Sequence, residues 1–189
     1  MEAGSRQVAP GELEIVRQFL NTHDVEDGID AISTPDALEG WLLRHGLASR
    51  RSSATDEHVR RATEMRESLR ALLLANNGEP LEAGAVKTLN ELTRDLRLFV
   101  RFDGDGGSAL EPADGGLEAA LGALLAIVVR SMAEGTWPRL KACRAGTCQW
   151  AFYDHSKNHS ATWCSMAVCG NRAKARAYRK RRGAAGARK

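Results

Sequence analysis

Cys143-Arg144-Ala145-Gly146-Thr147-Cys148 and Cys164-Ser165-Met166-Ala167-Val168-Cys169-Gly170-Asn171-Arg172 hold all four cysteines of this 189-residue chain. The two pairs share the same internal spacing, and fifteen residues separate them. Two short Cys-x4-Cys turns brought together by a hairpin place four sulfurs around one point, which is the geometry a structural zinc ion requires. Two disulfides would use the same residues, but disulfides belong to secreted chains, and no basic-then-apolar leader follows Met1. The spacing therefore predicts Cys143, Cys148, Cys164 and Cys169 as the ligands of one zinc ion per chain.

Charge is divided around these turns. Residues 139–189 carry 13 Lys/Arg against a single acidic residue, Asp154, for a formal charge of +12. Residues 1–138 carry 14 Lys/Arg against 23 Asp/Glu, for −9, so the net +3 hides the asymmetry. A concentrated basic segment favours polyanions, of which nucleic acid is the commonest. The longest apolar run, Leu117 to Val129, is interrupted by Gly122 and is too short to span a bilayer. These features predict a cytoplasmic, nucleoid-associated protein with no membrane partner.

Working outward toward the N-terminus, helical periodicity dominates. Residues 1–10 read as disordered. Gly11 to Thr22 predicts a helix with Leu13, Val16, Phe19 and Leu20 on one stripe. Thr34-Pro35-Asp36 is a helix start, with Thr34 as cap and Pro35 in the first turn, and Gly46 is its stop. A long helix from Ser53 or Thr55 runs to Asn77-Gly78, and a fourth covers Ala83 to Asp95. Leu96 to Phe102 alternates as a strand does, Asp103 to Gly107 forms a turn, and Ala109 to Glu111 returns as a partner strand. Leu117 to Glu134 is the most apolar helix. Gly135-Thr136-Trp137-Pro138 is the expected junction between a domain of residues 1–136 that folds by itself and a zinc module of residues 137–182. Residues 183–189 read as a disordered tail.

Within the zinc module, Gln149 to Tyr153 and Ala161 to Trp163 are expected to pair as a hairpin. Trp150, Phe152 and Trp163 would pack beside the metal, and a helix would start near Met166. The order of knuckle, hairpin and helix is treble-clef-like. Arg144, Lys141 and Arg172 are expected to offset the negative charge of four thiolates. The helix carries Arg172, Lys174, Arg176, Arg179, Lys180, Arg181 and Arg182, with Arg172, Arg176 and Arg179 on one face. These residues, together with Asn171, are the candidate nucleic-acid contacts, since a basic helix beside a zinc knuckle suits a DNA groove. Asn171 either reads a base edge or caps the helix start, and the cap is the preferred reading.

The stretch WCSMAVCGNRAKARAY, residues 163–178, resembles the CGNR zinc-finger family of bacterial proteins. Phe19-Leu20-Asn21-Thr22 and Trp41-Leu42 resemble the ABATE domain that usually precedes that finger. The resemblance covers most of the chain. It implies a stress-linked transcription regulator with an N-terminal α/β domain and a C-terminal treble-clef finger thought to bind DNA, with zinc ligands at Cys143, Cys148, Cys164 and Cys169. Family members often carry arginines in the turn before Trp163. Here that turn is Lys157 to Thr162 without arginine, which shifts any phosphate contact to the helix.

The expected class is therefore α+β: a mostly helical N-terminal domain with a small β-hairpin, then the finger. The expected function is a zinc-dependent, non-enzymatic DNA-binding regulator, with double-stranded DNA as partner and with a small-molecule effector and a homodimer as further candidates. A zinc-stapled protein- or RNA-binding adaptor is the alternative. A metal-dependent nuclease built on Asp154-His155 and Asn158-His159 is disfavoured, because no histidine follows His159 to complete the metal set.

Overall fold

The computed structural model describes residues 8–48, 53–112 and 115–186, with side chains as far as residue 181. The architecture is α+β, as the periodicity predicts. Helix α1 (Leu13–Leu20) buries Leu13, Val16, Phe19 and Leu20, the predicted stripe. Strands β1 (His23–Asp24) and β2 (Ile29–Asp30) form a short ribbon that the sequence reading missed. Helix α2 (Pro35–Arg44) starts as expected. The Thr34 hydroxyl accepts the Ala37 N–H at 3.3 Å, and Pro35 occupies a first-turn position that needs no donor. Helix α3 (Asp56–Asn76) is capped by Thr55 rather than Ser53, reciprocally with His58. Helix α4 (Ala83–Arg94) follows.

Strands β3 (Leu98–Phe102) and β4 (Ser108–Pro112) form the second antiparallel ribbon, in register from Leu98↔Pro112 to Phe102↔Ser108. Helix α5 (Leu117–Ala133) is the apolar centre, burying Leu117, Leu121, Leu124, Leu125, Ile127 and Val128. Strands β5 (Leu140–Ala142) and β6 (Ala151–Tyr153) pair antiparallel, and helix α6 (Asn171–Gly186) ends the described chain.

Three expectations need correction. Gln149 to Tyr153 does not pair with Ala161 to Trp163. Its strand, β6, pairs with β5, which precedes the first knuckle, so Cys143 and Cys148 sit in the connection of that hairpin. Residues 161–163 form no strand, because the Ala161 N–H donates to the Asp154 carboxylate and leaves the ladder pattern. Residues 183–186 of the expected tail are helical in backbone, and residues 187–189 lie outside the described residues. Of residues 1–10, the first seven also lie outside them; Ala9 is buried, and its N–H donates to Glu14 at 2.8 Å.

The core crosses the expected junction. Trp137, Leu140, Ala142, Ala151 and Tyr153 belong to the same buried cluster as Phe19, Leu20, Met65, Leu69, Leu73 and Leu124. A second, smaller cluster gathers Cys143, Ala145, Phe152 and Cys169, with Trp163 packed against it. Thus β6 has two faces. Ala151 and Tyr153 face the main core and Phe152 faces the sulfurs, an alternation that follows from the two-residue period of a strand.

Candidate metal centre and basic helix

The β5–β6 hairpin sets the first knuckle. The Cys143 N–H donates to the Trp150 carbonyl at 3.0 Å, and the N–H groups of Cys148 and Gln149 both donate to the Ala145 carbonyl at 2.8 and 3.0 Å. Gln149 takes a left-handed conformation, φ 51°, to turn the chain back into β6. The second knuckle is one wide helical turn, Met166–Gly170, capped by the Ser165 hydroxyl and closed by the Gly170 N–H on the Ser165 carbonyl at 3.0 Å. A five-residue turn of this kind is a π-type insertion, common at functional sites. A Cβ at Gly170 would lie 3.3 Å from the Trp163 ring and closer still to the Met166 thioether, so glycine lets the two approach.

The four sulfurs converge. Their Sγ atoms all lie within 4.8 Å of one another. Cys148 and Cys164 are 3.6 Å apart, and Cys164 and Cys169 3.8 Å. A tetrahedron with Zn–S bonds of about 2.3 Å has edges of about 3.8 Å, whereas a disulfide would bring sulfurs to about 2.05 Å. The four cysteines are unpaired thiols with zinc geometry, and the site fits one zinc ion. Hydrogen bonding from Cys148 and Cys164 pulls the Cys143 thiol down to about 2. The same bond with Cys143 pushes Cys148 up to about 12. Hydrogen bonding to Cys143 drives Cys164 up as well, and burial raises Cys169. A dication at the centre is what would let all four ionise.

The cations expected to neutralise the sulfurs are engaged elsewhere. Lys141 is buried and donates to Asp154 Oδ2 at 2.8 Å and to the His159 carbonyl at 2.6 Å. Arg144 pairs with Glu79, and Arg172 with Glu26 at 2.6 Å. Both acidic partners lie in the acidic half of the chain, so the charge asymmetry is partly consumed internally. Asp154 is 1% exposed and accepts from Lys141, from the Ser156 N–H at 2.9 Å and from the Ala161 N–H at 2.9 Å. Those bonds tie the loop after β6 to β5. They also occupy both oxygens of the carboxylate that a nuclease reading would need.

Burial pushes the Asp154 carboxyl up, but the Lys141 and Ser156 hydrogen bonds outweigh it and hold the group at about 2, below the ordinary 3.8. A depressed carboxylate stabilises the fold fully above its ordinary pKa, and that contribution disappears as pH falls from about 3.8 to about 2. The shift corresponds to about 2 kcal/mol. The stability difference between wild type and Asp154→Asn, measured by denaturant unfolding, should be constant from about pH 8 to 5 and close below about pH 4. Zinc loss at acid pH is common to both proteins and cancels.

Four polar residues, none of them a site candidate in the sequence, hold the first knuckle and its hairpin. Asn21 clamps the backbone of Ala151, with Nδ2 donating to its carbonyl at 2.9 Å and Oδ1 accepting its N–H at 2.8 Å. Arg70, 2% exposed, donates to the carbonyls of Gln149 at 2.7 Å and Leu20 at 2.6 Å. Asn76 donates to the carbonyls of Trp137 and Leu140, and Asn77 to those of Ala142 and Thr162. Arg66, also buried, binds both oxygens of Asp30. A signal was present: Arg66 and Arg70 fall on the same α3 stripe as Ala62, Met65, Leu69 and Leu73. Arginine on an apolar stripe is charge that must find a buried partner.

Beyond the zinc turn, α6 exposes Arg172, Lys174, Arg176, Arg179, Lys180 and Arg181; the Arg182 side chain lies outside the described residues. Arg172, Arg176 and Arg179 rise along successive turns, with Arg172 held by Glu26. Asn171 is not the cap. Ser165 has that role, and Asn171 Nδ2 donates back to the Ala167 carbonyl at 3.1 Å from an exposed position.

Comparison with known families gives two matches. Residues 139–182 match the CGNR zinc finger. Residues 14–135 match ABATE, described as "Putative stress-induced transcription regulator". Among curated proteins none matches the chain. No helix among the described residues is long and apolar enough to cross a membrane. With the four-cysteine cluster at its C-terminal end, the chain belongs to the ABATE family and carries a CGNR zinc finger.

Proposed function

We propose that the chain is a zinc-dependent DNA-binding transcription regulator in which Cys143, Cys148, Cys164 and Cys169 ligate the metal and α6 contacts duplex DNA. The observation that carries this reading is the exposed basic face of α6, which begins two residues after Cys169 and continues the turn that holds it. Zinc would fix the root of the helix, and the ABATE half would hold the knuckle. Arg172, Lys174, Arg176, Arg179, Lys180, Arg181 and Arg182 supply phosphate contacts, and the exposed Asn171 amide is the candidate for a base edge. For an effector, the groove of about 450 Å³ between α5, the end of α2 and the β3–β4 ribbon has the size of a small-molecule site.

The test is salt-dependent binding. Log affinity for duplex DNA should fall with log salt by about 0.9 per phosphate contacted. Replacing Arg176, Arg179 and Lys180 by Ala should weaken binding and flatten the slope by about three contacts while zinc is retained. An unchanged slope would move the contact off α6. No duplex binding at low salt, with RNA or protein bound instead, would favour the adaptor.

A further inference from the structure

The β3–β4 ribbon has only two strands, and its β4 side packs against α5. No strand pairs with the outer edge of β3 among the described residues. Phe102 is 75% exposed, Val100 55% and Phe99 41%, although all three lie in a strand. A hydrophobic open edge is a template for another strand.

The hydrogen-bond phase of that edge can be deduced. The Asp103 N–H donates to the Gly107 carbonyl at 3.0 Å, so residues 103 and 107 are a bonded pair. Bonded and non-bonded pairs alternate in an antiparallel ladder. Pairs Arg101↔Ala109 and Phe99↔Glu111 are then bonded, and Leu98↔Pro112, Val100↔Leu110 and Phe102↔Ser108 are not. The N–H and C=O groups of Leu98, Val100 and Phe102 therefore point out of the ribbon, along the open edge. Pro112, which has no N–H, sits opposite Leu98 at a position where none is needed.

We infer that this edge pairs with β3 of a second copy of the chain, antiparallel about a two-fold axis through Val100, to give a four-stranded sheet ordered β4, β3, β3, β4. Val100 meets its own counterpart as a bonded pair, and Leu98 meets Phe102 as another. In the same register Arg97 faces Asp103 of the other copy, twice by symmetry, in the closer, non-bonded type of pair. Both are exposed, and Arg97 has no ion-pair partner among the described residues. Arg101 faces Phe99, a cation against an aromatic ring. The register thus satisfies the outward backbone groups, sets Val100 and Phe102 against apolar residues and Phe99 against Arg101, and matches Arg97 with Asp103. An unrelated strand would have to supply all three independently. The assignment does not rest on the DNA reading, and its test uses DNA-free protein.

Sedimentation velocity of the full-length zinc-loaded protein over a range of concentrations should show a monomer–dimer equilibrium. Val100→Pro removes only an outward N–H and leaves the β3–β4 bonds intact, so it should give monomer with an unchanged circular dichroism spectrum. Arg97→Glu should weaken the dimer at least tenfold by placing like charges opposite each other. Val100→Cys should cross-link on mild oxidation, because bonded pairs place Cα atoms about 5.5 Å apart, within disulfide range. Phe102→Cys, whose counterpart would lie roughly 14 Å away along the strands, should not. A protein that is monomeric at every concentration, or a Val100→Cys cross-linking yield no higher than that of Phe102→Cys, overturns the interface. The cross-link comparison stands even if Val100→Pro fails to fold.

Discussion

Cys164→Ser should abolish stoichiometric zinc and destabilise the whole protein, helices α1 and α3 included. Four-sulfur zinc sites supply on the order of 10 kcal/mol of apparent folding energy in small modules. Here that energy is not confined to the finger. The knuckle is the connection of the β5–β6 hairpin, and Leu140, Ala142, Ala151 and Tyr153 of that hairpin are part of the main core. When the knuckle opens, the hairpin loses its closure, and the carbonyls bound by Arg70, Asn76 and Asn77 are no longer held in place. Metal analysis should fall from about one equivalent of zinc per chain to none. Hydrogen exchange should show faster opening of α1 and α3 as well as of the finger. Unchanged protection of α1 and α3 would show instead that the finger folds and unfolds by itself. For the same reason a fragment ending at Thr136 should not reach the stability of the intact chain: it keeps its own helices but leaves the β5–β6 face of the core uncovered.

Arg70→Ala should be the most damaging single substitution outside the zinc ligands. The side chain is 2% exposed and its guanidinium holds three acceptors: the carbonyls of Leu20 and Gln149, and Glu67. Truncation leaves the two carbonyls without their donor, while Glu67 loses one of its two arginines and keeps Arg66. Breaking a buried charged contact costs about 3–5 kcal/mol. Because Gln149 directly follows Cys148 and takes a strained left-handed φ, its release should also loosen the metal. Chelator competition should show faster zinc loss, and chemical denaturation an earlier midpoint. Arg70→Lys should not restore either property, since one ammonium cannot span the acceptors a planar fork reaches. Normal zinc retention in a folded Arg70→Ala protein would mean that the carbonyl contact does not position the knuckle.

Residue type and spacing alone settled much of this protein. Four cysteines at one repeated spacing named the zinc cluster, because a tetrahedral metal fixes ligand number and type whatever the surroundings. Thr34-Pro35, Gly46 and Asn77-Gly78 marked helix limits, because capping and left-handed turns are decided within a few residues. The apolar stripes of α1 and α5 were legible because a 3.6-residue period is local, and the Asp103 to Gly107 turn fixed the β3–β4 ribbon for the same reason. What required the tertiary structure is every choice made between distant segments. Gln149 to Tyr153 could have paired forward with residues 161–163 or backward with β5, and both partners look alike as short apolar runs. Lys141 and Arg144 read as counter-charges for sulfur until Asp154 and Glu79 came within reach. Asn21, Asn76 and Asn77 sit at helix ends, where polar residues are ordinarily solvated, and Arg70 sits within α3 on its apolar stripe. Only packing of α1 and α3 against the β5–β6 hairpin buries their amides and guanidinium beside backbone groups that would otherwise be unpaired. Periodicity is written into neighbouring residues; the pairing of a buried polar group depends on which distant backbone comes to lie beside it.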